Sequence, residues 1–321
     1  MKHLSLKSLN IYACILHSLS FVTVLVLYLV YKKSKSKSNI KLFRNSIAGP
    51  ITETIPPVYP DTLSYCSTGS ATSPNPGQCT VAPNFQQPQK VSMINVIVSC
   101  LVFFGITAIA HALYAWDKNL FYTRVIQDGW NPYRWFEYAM SASLMSVILG
   151  AVQGSVDITT IVFMGGVTAA MQFNGYSTES VMRKSIVRFI GFVQKDVIVG
   201  STISGWLLFV FLWFCNLYSF TTLVNDVKNK YNGVIDPSTG KQIKVPAFVY
   251  FVVGLQLLNY ASFGFIQLYQ IVKNWNVTDY TNLLNFEKIE RLYLILSFAA
   301  KLGLAGGVSY GLILRTKNCN E

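Results

Sequence analysis

One apolar run near the C-terminus constrains this chain more than any other feature. The segment LYLILSFAAKLGLAGGVSYGLIL, Leu292–Leu314, is long enough to cross a bilayer and carries a single charge, Lys301. At 1.5 Å per residue the lysine lies roughly 14 Å into the run, near mid-bilayer. A cation on a lipid-facing helix costs roughly 2.5–3.5 kcal/mol on insertion scales, and an intramembrane ionisable residue marks a functional site by default. Two readings follow. Lys301 snorkels or pairs with a neighbouring helix, or it is a desolvated amine that condenses with an aldehyde to form a Schiff base.

Six further stretches are long and apolar enough to accompany it. Together the expected spans are Leu9–Tyr31, Val91–Trp116, Pro132–Val152, Ile158–Tyr176, Val197–Tyr218, Val245–Ile271 and Arg291–Leu314. The fourth is rich in Gly and Thr and is the weakest. Charged residues make up only 12% of the chain and apolar ones 52%, so an all-α polytopic membrane protein of one domain, residues 1–321, is expected. The first span is too long for a cleaved signal peptide and lacks a small-residue cleavage site. No Gly-rich phosphate loop, HExxH or CxxC occurs, so soluble-enzyme chemistry has no footing and the chain is not read as an enzyme. In a seven-helix membrane protein, the aldehyde that meets a central lysine is usually retinal.

Seven spans place the termini on opposite sides. Lys and Arg divide almost evenly between the two sides, and long loops count less in the positive-inside rule, so the balance leans to a cytoplasmic N-terminus. Residues 32–90 then form a long extracellular loop. It opens with the basic stretch KKSKSKSNIK and continues Pro-, Ser- and Thr-rich, with Cys66 and Cys79 as a candidate disulfide on an oxidising side. Cys14, Cys100 and Cys215 fall in spans and read as packing residues. The sequon Asn276-Val277-Thr278 falls inside and stays unmodified in this orientation. The net charge of +12 is spread over loops on both faces, which argues against a nucleic-acid partner.

A protonated Schiff base in a dry site needs a fixed anion. Glu137, in NPYRWFEYAMSASLMSVILGAV, is the one central carboxylate of the seven runs, and spans three and seven share a direction. It lies only about 8 Å beyond Pro132, shallower than Lys301, a gap that helix tilt and the lysine arm could close. The alternative is an interfacial Glu paired with Arg134 three residues earlier. Ser297, four residues before Lys301, and Ser141, four after Glu137, share the faces of those two groups, as sites for hydrogen bonds or for helix packing. His17 and His111 lie in spans one and two, either as satisfied polar contacts or as a proton-accepting cluster. Glu290, at the inner end of span seven, gates that cluster or sits among headgroups.

These residues together resemble the heliorhodopsin family, retinal proteins inverted relative to microbial and animal rhodopsins. The resemblance is carried by LNIYACILH (Leu9–His17), NPYRWFEYAMSASLM (Asn131–Met145), VPAFVY (Val245–Tyr250), SFGFIQLYQ (Ser262–Gln270) and ERLYLILSFAAK (Glu290–Lys301), and it spans nearly the whole chain. It implies all-trans retinal on Lys301, with Glu137 as counterion and Tyr138, Ser141, Met145, Phe263, Gln267 and Ser297 around the chromophore. It also implies an inner polar set of His17, His111, Arg134 and Glu290, short β-strands in the first outer loop, and a homodimer in lipid.

Departures from the family pattern matter as well. Ser20 stands where the family has Gln, and Ala305, Gly306 and Gly307 replace Ala-Trp-Gln. Thr168 and Ala261 replace asparagines. Colour and photocycle rate are therefore not transferable. The expected function is a light sensor with a slow signalling cycle, no ion pumping, and an unidentified signalling partner. A light-gated ion or proton channel is the alternative, and a retinal-free scaffold the plainest reading.

Overall fold

The computed structural model describes residues 5–33, 39–44, 89–117, 121–153, 155, 157–183, 193–230, 233, 244, 245, 247–275 and 286–320. These form eight helices and one pair of strands. Helix α1 spans Leu6–Lys33, and strands β1 (Asn39–Arg44) and β2 (Gln89–Asn95) follow. The remaining helices are α2 (Val96–Ala115), α3 (Phe121–Asp128), α4 (Pro132–Val152), α5 (Ile158–Val181), α6 (Val193–Lys230), α7 (Ala247–Asn274) and α8 (Phe286–Asn320).

Six of the helices, α1, α2, α4, α6, α7 and α8, are long and apolar enough to cross a membrane, as a multi-pass integral membrane protein requires. Helix α5 has the length, with 24 residues, but its Thr, Gly, Gln, Asn and Glu residues keep it outside that set. Its close packing between α4 and α6 explains the composition. Small residues let neighbours approach, and Gly165, Thr168, Gly175 and Thr178 are all buried.

The second helix begins at Val96, not Val91 as expected from hydropathy. Residues 89–95 instead pair antiparallel with β1, in a register from Asn39 opposite Asn95 to Arg44 opposite Gln89 with an irregularity at Leu42/Phe43. Asn95 closes the strand and caps the helix, its side chain accepting from Val98 N at 3.1 Å. Two short strands therefore border the long first loop, whose interior, with Cys66 and Cys79, lies outside the described residues, as does Asn276.

Helix α3 was not foreseen. It is an eight-residue amphipathic segment that ends at Gly129, where φ of 89° suits glycine. The chain then enters α4 through Asn131, which caps Arg134 N at 3.2 Å, with Pro132 in the first turn.

Two apolar clusters fill the bundle. The larger joins α2, α4, α5, α6, α7 and α8 around Phe103, Phe104, Ile148, Met164, Leu212 and Leu304. The smaller, at the end where α4 and α8 begin, is aromatic: Tyr122, Trp135, Tyr138, Phe286 and Tyr293. Lys301 and its surroundings lie between them.

Candidate chromophore site

Lys301 is 2% exposed, in a run with no other charge, yet its ammonium makes two hydrogen bonds. Nζ donates to Glu137 Oε1 at 2.9 Å and to Ser297 Oγ at 2.8 Å, and lies 5.3 Å from the Tyr138 ring centre. The difference in depth between Glu137 and Lys301 is closed, and Glu137 does not pair with Arg134. Thr107 of α2 adds a hydrogen bond of 2.5 Å to the same Glu137 oxygen. Ser141 is buried one turn beyond Glu137, without a well-formed hydrogen bond.

A cavity opens beside the amine. It is lined by Tyr138, Ser141 and Met145 of α4, Met171 and Gln172 of α5, Tyr260 and Phe263 of α7, and Ser297 of α8. Phe263 packs edge-on to Tyr138 at 5.3 Å and stacks on Tyr293 at 5.9 Å, closing one wall. Gln267 is not part of this lining. Its amide donates to the Gly175 carbonyl at 3.1 Å and ties α7 to α5.

On the side where α4 and α8 begin, polar residues form two connected groups. His17 is fully buried, stacked on His111 with ring centres 5.5 Å apart, and neither of its nitrogens makes a hydrogen bond. His111 Nδ1 meets Asn10 Oδ1 at 2.8 Å, and Asn10 Nδ2 donates to the Tyr122 hydroxyl at 3.3 Å. Tyr122 lies on α3, outside the spans. Burial, and secondarily the charge of Glu290, push its phenol well above the usual range, so the hydroxyl that accepts from Asn10 stays protonated.

The second group centres on Arg134, which bridges Glu290 and Glu179; the contact to Glu179 Oε1 is 2.5 Å. Asn131 Nδ2 donates to Glu290 at 2.7 Å, Trp135 Nε1 to Glu179 at 2.8 Å, and the guanidinium sits 4.0 Å from the Tyr293 ring centre. Buried charges persist when paired and hydrogen-bonded; here both terminal guanidinium nitrogens and both carboxylates have partners, while Arg134 Nε has none. Glu290 is therefore an ion-pair partner and not a headgroup contact.

The sequence model of the heliorhodopsin family matches residues 64–313, most of the chain. The chain belongs to the heliorhodopsin family. The match starts beyond α1, so Asn10 and His17 lie outside it, a narrower extent than the sequence motifs had implied. No curated protein matches the chain. Membership implies a retinal chromophore and a rhodopsin-type light receptor. The residues present fit that group. A buried primary amine sits at a cavity walled by methionine and aromatic side chains, with the buried Ser141 hydroxyl beside it.

Proposed function

We propose that this chain is a light-sensing photoreceptor that carries all-trans retinal on Lys301 and signals through a slow cycle without pumping ions. The observation that carries this reading is Lys301 itself, desolvated, held by Glu137 and Ser297, and facing an apolar aromatic cavity. Retinal attached there as a protonated Schiff base supplies visible absorption and a light-driven isomerisation. The chain supplies everything else.

Glu137 neutralises the cation at Nζ, and Thr107 and Ser297 fix the geometry of the pair. Tyr138, Met145 and Phe263 exclude water from the cavity. On one side of the amine, His17 and His111 offer uncharged nitrogens to a proton leaving Nζ, and Asn10 and Tyr122 extend that group. Arg134, Glu179 and Glu290 close it with a locked ion-pair set. Toward the other side, the α4 face beyond Glu137 presents Ser141, Met145 and Ile148, which do not titrate near neutrality. A pump needs an acceptor and a donor on opposite sides of the amine, and among the described residues the α4 face beyond Glu137 supplies neither.

The same reading makes α5 the seventh span. It places the N-terminus in the cytoplasm and the first loop outside, and takes the chain as a homodimer with a separate signalling partner. Reconstitution with all-trans retinal tests it. A visible band is expected in the natural chain and absent in Lys301→Ala, with no steady photocurrent at zero voltage and symmetric pH. A visible pigment in Lys301→Ala overturns the attachment, and a steady photocurrent overturns the non-pump reading. A current reversing with the proton gradient would instead make it a channel.

A further inference from the structure

Away from the Lys301 pair, on the opposite side from the histidines, four buried polar side chains have hydrogen-bonding atoms without a partner in the protein. They are Gln153 just beyond the end of α4, Trp213 and Asn216 of α6, and Gln256 of α7, none more than 3% exposed. Both amide atoms of Gln153, Oδ1 of Asn216, Oε1 of Gln256 and Nε1 of Trp213 are unpaired.

Their positions converge. Ser155, two residues after Gln153, donates to Ser219 at 2.7 Å, and Asn216 is three residues before Ser219 on the same helical face. Trp213 is one turn further back and meets the Tyr260 ring at 5.9 Å. Gln256 is one turn from Tyr260 along α7, with Nε2 spent on the Ala300 carbonyl at 2.9 Å. Gln153 is seven residues from Ser146, hence on its face, and Ser146 meets the Tyr260 hydroxyl at 3.0 Å.

We propose that Gln153, Trp213, Asn216 and Gln256 bound a water-filled pocket that meets the Lys301 cavity at Tyr260. The unpaired atoms are two donors and three acceptors with no formal charge, a set that suits water and not an ion. An ion there would be buried without a countercharge. Left dry, each group would forfeit about 1–3 kcal/mol, whereas buried water takes two to four polar partners of this kind. From Tyr260 the hydroxyls of Ser146 and Thr168 continue the polar line, the latter donating to Ser146 at 2.7 Å. The pocket can exchange protons but has no group to store one. The inference does not depend on the retinal assignment.

Exchange of tryptophan indole protons in heavy water tests it, on the retinal-free full chain in nanodiscs with isotopically labelled tryptophans. Trp135 is the internal standard, because its indole is buried and donates to Glu179. Trp213 should exchange at least about tenfold faster than Trp135, since exchange follows access to water. The double variant Gln153→Leu with Asn216→Leu should slow Trp213 to the rate of Trp135, and Asn216→Ser should leave it fast. Equal protection of Trp213 and Trp135 in the natural chain overturns the proposal, and needs no variant to fold. So does unchanged Trp213 exchange in a folded double variant.

Discussion

Thr107 donates to the Glu137 oxygen that also receives the Lys301 ammonium, so a neutral hydroxyl and a cation share one acceptor. The two donors oppose each other in effect. The hydroxyl draws negative charge from the carboxylate, and the ammonium depends on that charge. Thr107→Val should leave a more basic carboxylate beside Nζ and move the visible band of the retinal-loaded protein to the blue. Hydrogen bonds to charged groups contribute about 1.5–3 kcal/mol, so the thermal midpoint should fall correspondingly. An unchanged spectrum would show that Thr107 does not act on the pair.

Glu137→Gln should act in the other direction. A neutral amide in place of the carboxylate localises the chromophore charge less, and absorption shifts to the red. Removing one partner of a buried pair also costs about 3–5 kcal/mol where the remaining charge persists. Absorption spectra and thermal denaturation of the same preparation check both effects. A Gln variant with natural colour would place the counterion elsewhere.

Arg134 holds two carboxylates apart from each other's charge. Arg134→Met should leave Glu179 and Glu290 buried without a cation and lower stability by about 3–5 kcal/mol. Adding Glu179→Gln and Glu290→Gln should recover part of the loss, because neutral amides tolerate that site better than bare carboxylates. Denaturation of the retinal-free protein measures it, and a triple variant less stable than Arg134→Met would refute the argument.

Gly175 faces the Trp135 ring so closely that a Cβ would collide with it. That ring cannot swing aside freely, being bound to Glu179 at 2.8 Å and lying 4.9 Å under the Arg134 guanidinium. Gly175→Ala should therefore cost about 1–3 kcal/mol, as overpacking does. A stability equal to that of the natural chain would mean the α4–α5 contact gives way more easily than its geometry implies.

The first loop offers a test of orientation. A tag after Met1 should be reachable only in permeabilised cells, and Cys66 should resist thiol labelling until reductant is added. Exposure of that tag on intact cells would invert the proposed topology.

Much of the site was legible because charge in an apolar run is rare. Lys301, Glu137 and Ser297 announced themselves by type and spacing, and they meet. Arg134 and Glu290 were visible as polar groups, but Glu179, the second carboxylate on Arg134, was not. Hydropathy cut the fourth span at Tyr176, three residues before Glu179 and five before the helix ends at Val181, since Gly and Thr lower the hydropathy of a helix packed between α4 and α6. Thr107 went unnoticed because threonine in a membrane helix usually bonds its own backbone, as Thr23 does to Leu19 at 2.8 Å. Gln267 was expected in the cavity and instead joins two helices. Helix α3 is too short for periodicity to reveal, and β2 lay hidden because MIN continues the apolar run of α2.

That last junction has mechanical meaning. No linker separates β2 from α2; Asn95 belongs to the strand ladder and caps the helix. Thr107 is twelve residues further on, about 18 Å along the axis, and His111 is one more turn. A rigid rod therefore runs from the strand pair to the carboxylate and the imidazoles. Any turn of α2 about its axis at the strand pair would change the angle at which Thr107 meets Glu137.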